Sequence, residues 1–263
     1  MSLICVLDLK VFKMQTLIIG GGLSGLALAD ALQAQGHDYM LVEARDRFGG
    51  RIKTEYYGAG YFDMGPAWFW QGQPRIAALI DRLGLEKFDQ FSTGTLSFED
   101  ETGQVQRGRG FSSMEGSLRL KGGLGALTQT LANGLPEARK RLNAQVTAVT
   151  KTDKGITSTL ANGDTLAVQQ VVFAVPPRIA VEIDFSPALP SNAVASMKNV
   201  PTWMAGQAKA VAVYDRAFWR DEGLSGDAMS CFGPMVKIHD ASPATGALCA
   251  FRIYRCAASG PLR

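Results

Sequence analysis

Gly20, Gly22 and Gly25 stand in the spacing GxGxxG, and Glu43 follows shortly after them. Glycines at these intervals let a backbone turn tightly, approach a pyrophosphate closely and pack a helix against a strand. The helix that starts there presents free N–H groups and the positive end of its dipole to phosphate charge. A carboxylate at the Glu43 position accepts hydrogen bonds from ribose hydroxyls and repels a 2′-phosphate, which disfavours NADP. With 29 glycines among 263 residues, roughly a third of one such spacing arises by chance, so the motif counts only in its context.

The context is a βαβ unit. Residues 15–19 are a short apolar run that reads as a buried strand. Residues 26–34, rich in Ala and Leu, read as a helix, with Gly36 placed as its C-terminal stop. Tyr39–Val42 reads as a second strand ending at Glu43. Polar and aromatic sequence then runs through Trp70, and 74–83 is an amphipathic helix. Residues 91–110 read as a hairpin turning near 101–103, and 124–135 as another helix. The strongest β signal covers 145–175, with Asn162-Gly163 as a two-residue turn. Residues 171–175 are a fully apolar strand stopped by Pro176-Pro177, which suits a parallel sheet rejoined late in the chain. From Ile183 onward the expectation is loops and short strands, with 209–214 the best alternating segment.

Bulk properties exclude several classes of function. Hydrophobic residues make up 46% and charged residues 19%, so the chain is globular. The net charge is +3 without a basic stripe, which excludes nucleic acid as the expected partner. Residues 107–110 (RGRG) read as a solvated loop. Four cysteines without a CxxC and two histidines leave no metal site, and they suit a reducing cytoplasm. His37 and His239 are expected at the surface. No apolar run is long enough to span a bilayer, so no membrane association is expected.

Residues 43–51 (EARDRFGGR) closely resemble the segment after the second strand in flavin-containing amine oxidases. Residues 62–68, ending in Gly65-Pro66-Ala67-Trp68, resemble the DxGxxW segment that lies beside the flavin ring in that family. Residues 121–127 resemble the start of its returning helix, and residues 174–177 the end of its returning strand. Residues 209–220 resemble the stretch that opens on a lysine and closes on Phe218-Trp219-Arg220. The resemblance runs from about Gln15 to Ala250 and is not specific to a substrate.

The resemblance implies FAD, bound without a covalent link. The implied contacts are Gly20, Gly22, Leu23, Ser24, Gly25, Glu43, Ala44, Arg45, Gly49, Gly50, Arg51, Gly65, Pro66, Ala67, Trp68 and Val146. Arg51 would reach a phosphate, which its planar fork suits. Lys209 would be the catalytic residue, holding a water against flavin N5 and assisting reoxidation by oxygen. The implied reaction takes a small amine to an imine. The alternatives are a flavin desaturase or protoporphyrinogen-oxidase-like enzyme, and a non-catalytic remnant.

The expected fold class is α/β: a Rossmann-like FAD-binding domain interwoven with a smaller α+β substrate domain. The expected division is a disordered tail over 1–13, FAD binding over 14–75 and 118–180, and substrate binding over 76–117 and 181–263. The family is longer, and residues 250–263 depart from its pattern. A C-terminally truncated chain, arising from a frameshift near Phe251, is therefore expected.

Overall fold

The computed structural model describes residues 14–110, 112, 114–202, 207–232, 235–244 and 248–255. The expected tail over 1–13 and the last residues of the divergent C-terminal stretch lie outside them. The chain forms two compact units, Met1–Phe48 with Gly134–Pro201 and Gly49–Asn133 with Thr202–Arg263.

The first unit is built on a seven-stranded mixed sheet. Its order is Lys140–Arg141, Tyr39–Val42, Met14–Ile19, Thr165–Phe173, Gly155–Leu160, Val146–Thr152 and Asp184–Ser186. The Met14–Ile19 strand pairs in parallel with both Tyr39–Val42 and Thr165–Phe173. A strand with parallel partners on both edges is buried on both faces, and Leu17 and Ile18 are fully buried. These strands share an apolar core with Val42, Val146, Leu160 and Val168. The late strand thus rejoins the sheet in parallel, as its apolar run implies. Its end is less buried than that run suggests, for Val172 and Phe173 are each 36% exposed. The Gly155–Leu160 strand pairs with it only as far as Val168.

Helix Leu23–Ala34 begins directly after Gly22 and includes Gly25, three residues earlier than its apolar pattern indicates. The Asn162-Gly163 turn is closed by the Asn162 side chain, which accepts the Asp164 N–H at 3.1 Å.

The second unit contains a six-stranded sheet ordered Gln207–Tyr214, Leu248–Arg255, Met235–Asp240, Leu224–Ser230, Thr95–Glu99 and Val105–Arg107. The last two strands are the expected hairpin, whose turn is organised by Asp100 accepting the N–H groups of Thr102 and Gln104. The region after Ile183 is more regular than expected. It forms helix Ser191–Asn199 and four of these six strands. The reason lies in composition: two central strands carry Asp227, His239 and Asp240 inward, so apolar alternation is broken where the sheet is most regular.

Two small sheets complete the second unit. Thr54–Tyr57 pairs with Gly60–Asp63, a hairpin hidden in the polar and aromatic stretch. Ser117–Leu120 pairs with Phe69–Trp70 and with Lys87–Asp89. Helices Pro74–Arg82 and Leu124–Gly134 fall where their periodicity puts them.

Candidate functional site

In the first unit the glycine turn joins the central strand to the helix. Gly20 has φ +110, in a region that L side chains avoid, and a Cβ on it would meet Ala174 O at 2.7 Å. Gly25 is buried, and a Cβ there would fall inside van der Waals contact with the Gly20 carbonyl oxygen. Gly22 is the N-cap residue, and no side chain caps the helix. Leu23 and Ser24 form its first turn, which leaves main-chain donors for an anion.

Glu43 is 8% exposed. Its carboxylate accepts the Gly21 N–H at 2.7 Å and the Arg45 N–H at 3.0 Å. Two backbone bonds hold this carboxylate at the mouth of the turn, and each oxygen keeps acceptor capacity for a ribose hydroxyl. Gly21 is a participant that the three-glycine spacing hides. A Cβ on it would meet Phe48 at 2.5 Å and Glu43 at 2.9 Å. Ala44 and Arg45 are exposed beside Glu43, and Val146 is buried at the start of its strand.

The second unit holds the other implied residues. Gly49 and Gly50 have φ +108 and +59, and Arg51 beside them is exposed. Lys209, near the start of strand Gln207–Tyr214, turns inward. Its ammonium donates to the carbonyl oxygens of Gly65 at 2.6 Å and Asp63 at 3.2 Å. The same nitrogen lies 5.5 Å from the centre of the Trp68 ring. The structure thus brings Lys209, Gly65 and Trp68 together, with Ala67 buried and Pro66 exposed between the last two. Burial lowers the Lys209 pKa from 10.5 to about 8; Arg119 adds to the effect and Asp63 opposes it.

Asp63 explains the DxG pattern. Its carboxylate accepts the Leu124 N–H at 2.9 and 3.2 Å and the Thr54 hydroxyl at 2.5 Å. Thr54 Oγ1 in turn accepts the Gly125 N–H at 2.8 Å. The start of helix Leu124–Gly134 is therefore capped by side chains remote in sequence. Cβ atoms on Gly123 and Gly125 would collide with Thr54, which accounts for the glycines at this helix start.

Burial raises the Asp63 pKa despite the bonds from Thr54 and Leu124, which lower it. A raised folded-state value means that this group stabilises most in acid, and that its contribution falls as pH rises through that value. Asp63→Ala is expected to cost about 2–4 kcal/mol, because it removes a helix cap, strands the buried Leu124 N–H and leaves the half-buried Thr54 hydroxyl without its acceptor. Denaturant melts would check this, and a loss below about 1 kcal/mol would contradict the capping role.

Three further residues carry no signal in a local motif. Arg119 is 3% exposed and donates to the carbonyls of Ser242 at 2.7 Å and Ala241 at 3.1 Å. Asp240 is fully buried and accepts Trp219 Nε1 at 2.9 Å and Arg220 Nε at 2.8 Å. Trp219 and Arg220 of the landmark therefore clamp a buried carboxylate. His239 is 3% exposed and bonds Asp227 Oδ1 at 2.7 Å, which corrects its expected surface position; His37 is exposed. The correction follows from pairing, since a buried imidazole is tolerated when its polar atoms are bonded.

Among the described residues no cluster of three or more His, Cys, Asp and Glu side chains is arranged for a metal. No helix among them is long and apolar enough to cross a membrane.

The cradle in the first unit fits a dinucleotide: glycines where side chains would fill the approach, an uncapped helix start and a backbone-anchored carboxylate. The family profile described as flavin containing amine oxidoreductase matches residues 23–110 and 95–255. A relative named "Probable flavin-containing monoamine oxidase A" from Dictyostelium discoideum is 23% identical, over 86% of this chain and 70% of the relative. The putrescine oxidase of Kocuria rosea is 35% identical over 29% of this chain and 16% of its own length. The structure of cyclohexylamine oxidase from Brevibacterium oxydans superposes with a TM-score of 0.82 at 20% identity, covering 92% of this chain and 75% of that one. The likeness to that structure shows the fold, an α/β fold of the FAD amine oxidase type. Because the profile spans well over half of the sequence, the chain belongs to the flavin containing amine oxidoreductases, an amine oxidase-like oxidoreductase with FAD as its cofactor.

Proposed function

We propose that this chain oxidises a small amine at the C–H bond next to nitrogen, giving an imine that water hydrolyses to a carbonyl compound and ammonia or a smaller amine. Two electrons and two protons leave the amine, and oxygen takes them up as hydrogen peroxide. Bound FAD, held without a covalent link, supplies the two-electron acceptor. Gly20, Gly22, Leu23, Ser24, Gly25, Glu43, Ala44, Arg45 and Val146 serve its adenosine diphosphate half. Arg51 reaches a phosphate of that half, and Gly49, Gly50, Gly65, Pro66, Ala67 and Trp68 serve the remainder.

Functionally we assign 14–75 and 118–180 to FAD binding, because the residues proposed to touch the cofactor, Lys209 apart, lie there. We assign 76–117 and 181–263 to substrate. Cysteine usage supports a cytoplasmic site of action, and the scattered basic residues support a small-molecule rather than a nucleic-acid partner.

The observation that carries the reading is Lys209. A partly buried ammonium anchored on two carbonyls beside an indole is a fixed positive charge that holds a water or a proton at one place. A charge fixed in a water-poor site costs no reorganisation when negative charge develops next to it. The names of the relatives point to alkyl amines and diamines: putrescine for one and cyclohexylamine for another.

Peroxide release should depend on an added amine, with putrescine and cyclohexylamine as the first substrates tried. Flavin-loaded protein that produces no peroxide with any of a panel of primary amines would overturn the reading.

A further inference from the structure

Asp227 and His239 are 6% and 3% exposed and face each other across 2.7 Å. The Ser112 hydroxyl donates to the second Asp227 oxygen at 2.5 Å, and the Asp227 N–H donates to Ser225 Oγ at 3.1 Å. Neither residue belongs to the proposed cofactor set. A buried carboxylate bonded to one ring nitrogen fixes both the tautomer and the plane of the imidazole.

That ring packs against Trp68, with centroids 5.3 Å apart and planes at 77°. Edge-to-face contact is directional, so it transmits orientation from one ring to the next. A second restraint on Trp68 is its N–H, which donates to Gln90 Oε1 at 2.8 Å. Gln90 is itself pinned, since its amide donates to the carbonyls of Asp240 at 2.7 Å and Phe91 at 3.0 Å. The indole is thus held at its ring by His239 and at its N–H by Gln90, and it carries the Lys209 ammonium 5.5 Å from its centre.

We propose that His239, oriented by Asp227, is a positioning residue that holds the Trp68 indole and, across it, the Lys209 ammonium in the arrangement amine oxidation uses. The inference rests on the proposed role of Lys209. Arg109 lines the same small cavity as Asp227 and His239, and Asp63 and Arg119 set the field at Lys209.

The test reads the titration of Lys209 in the purified chain, by pH-dependent amine modification and peptide mass spectrometry, so it does not need turnover. The wild-type chain should show half-modification near pH 8. Asp227→Asn keeps the shape of the carboxylate and loses its charge, and His239→Gln removes the ring. Each should admit water beside Trp68 and move the Lys209 midpoint up by about one pH unit towards the ordinary lysine value. The near-ultraviolet circular dichroism of the indoles should weaken in parallel.

Variants that melt like the wild type yet leave the midpoint in place would overturn the proposal. If His239→Gln fails to fold, Asp227→Asn decides alone. Absence of amine-dependent peroxide from the wild type would refute the catalytic reading without touching this titration, so the two failures are distinguishable.

Discussion

Lys209→Met should reduce oxygen-dependent turnover by about 10²–10³-fold, the usual loss when one fixed electrostatic group is removed from an active site. Methionine keeps most of the volume and removes the charge, so the effect isolates the ammonium rather than its packing. The reductive half-reaction with amine should fall much less, because the chemistry at the C–H bond needs no proton donor from Lys209. A rapid-mixing experiment separates the halves. Equal losses in both would contradict the assignment of Lys209 to the oxygen step.

The same variant carries a second, thermodynamic signature. Lys209 titrates at about 8 in the folded chain against 10.5 ordinarily, chiefly because burial disfavours its charge. Between these values the unfolded chain binds the proton and the folded chain does not, so stability rises with pH across that window. The swing from neutral pH to above 10.5 amounts to about 3 kcal/mol. Methionine has no such term. The melting temperature of Lys209→Met relative to the wild type should therefore be highest near pH 7 and decline steadily as pH rises from 8 to 10.5. A difference that stays flat across this range would mean that the ammonium is not desolvated.

The parts of the site readable in the sequence are those built from neighbours. The strand, the glycine turn, the helix and Glu43 lie within one βαβ unit, where local spacing and tertiary geometry are nearly the same thing. Lys209 was legible only through its resemblance to a family pattern, because its partners Asp63 and Gly65 lie 146 and 144 residues away.

Asp63 shows why the rest was not legible. Its partner Leu124 is 61 residues distant, so a capping box written across two elements looks like two unrelated polar residues. Arg119, with its bonds to Ala241 and Ser242, is hidden in the same way. His239 and Asp240 were obscured by composition instead. Buried polar residues that find hydrogen-bond partners interrupt the alternation by which a strand is recognised, so strands Leu224–Ser230 and Met235–Asp240 carried a weak pattern.

Gly25→Ala should abolish flavin retention and destabilise the chain, although alanine is the better helix former by about 1 kcal/mol. The two effects oppose each other, and geometry decides which wins. The added Cβ would overlap the backbone carbonyl of Gly20, and it would sit 3.3 Å from the Ala174 side chain. A backbone oxygen cannot rotate aside as a flexible side chain can, so the helix must lift from the strand. Such overpacking costs about 1–3 kcal/mol or more. Lifting the helix also moves its N-terminal donors away from the turn at Gly20, where the phosphate charge is proposed to bind.

Gly134→Ala is the matched control, since that glycine ends another helix and a Cβ on it meets nothing within 4 Å. The control should keep wild-type flavin content and melt at the same temperature or slightly higher. The absorbance of bound flavin, taken with the melting curve, separates the cases. If Gly25→Ala retains stoichiometric flavin and melts like Gly134→Ala, then the close approach of helix to strand is not what the GxGxxG spacing serves here.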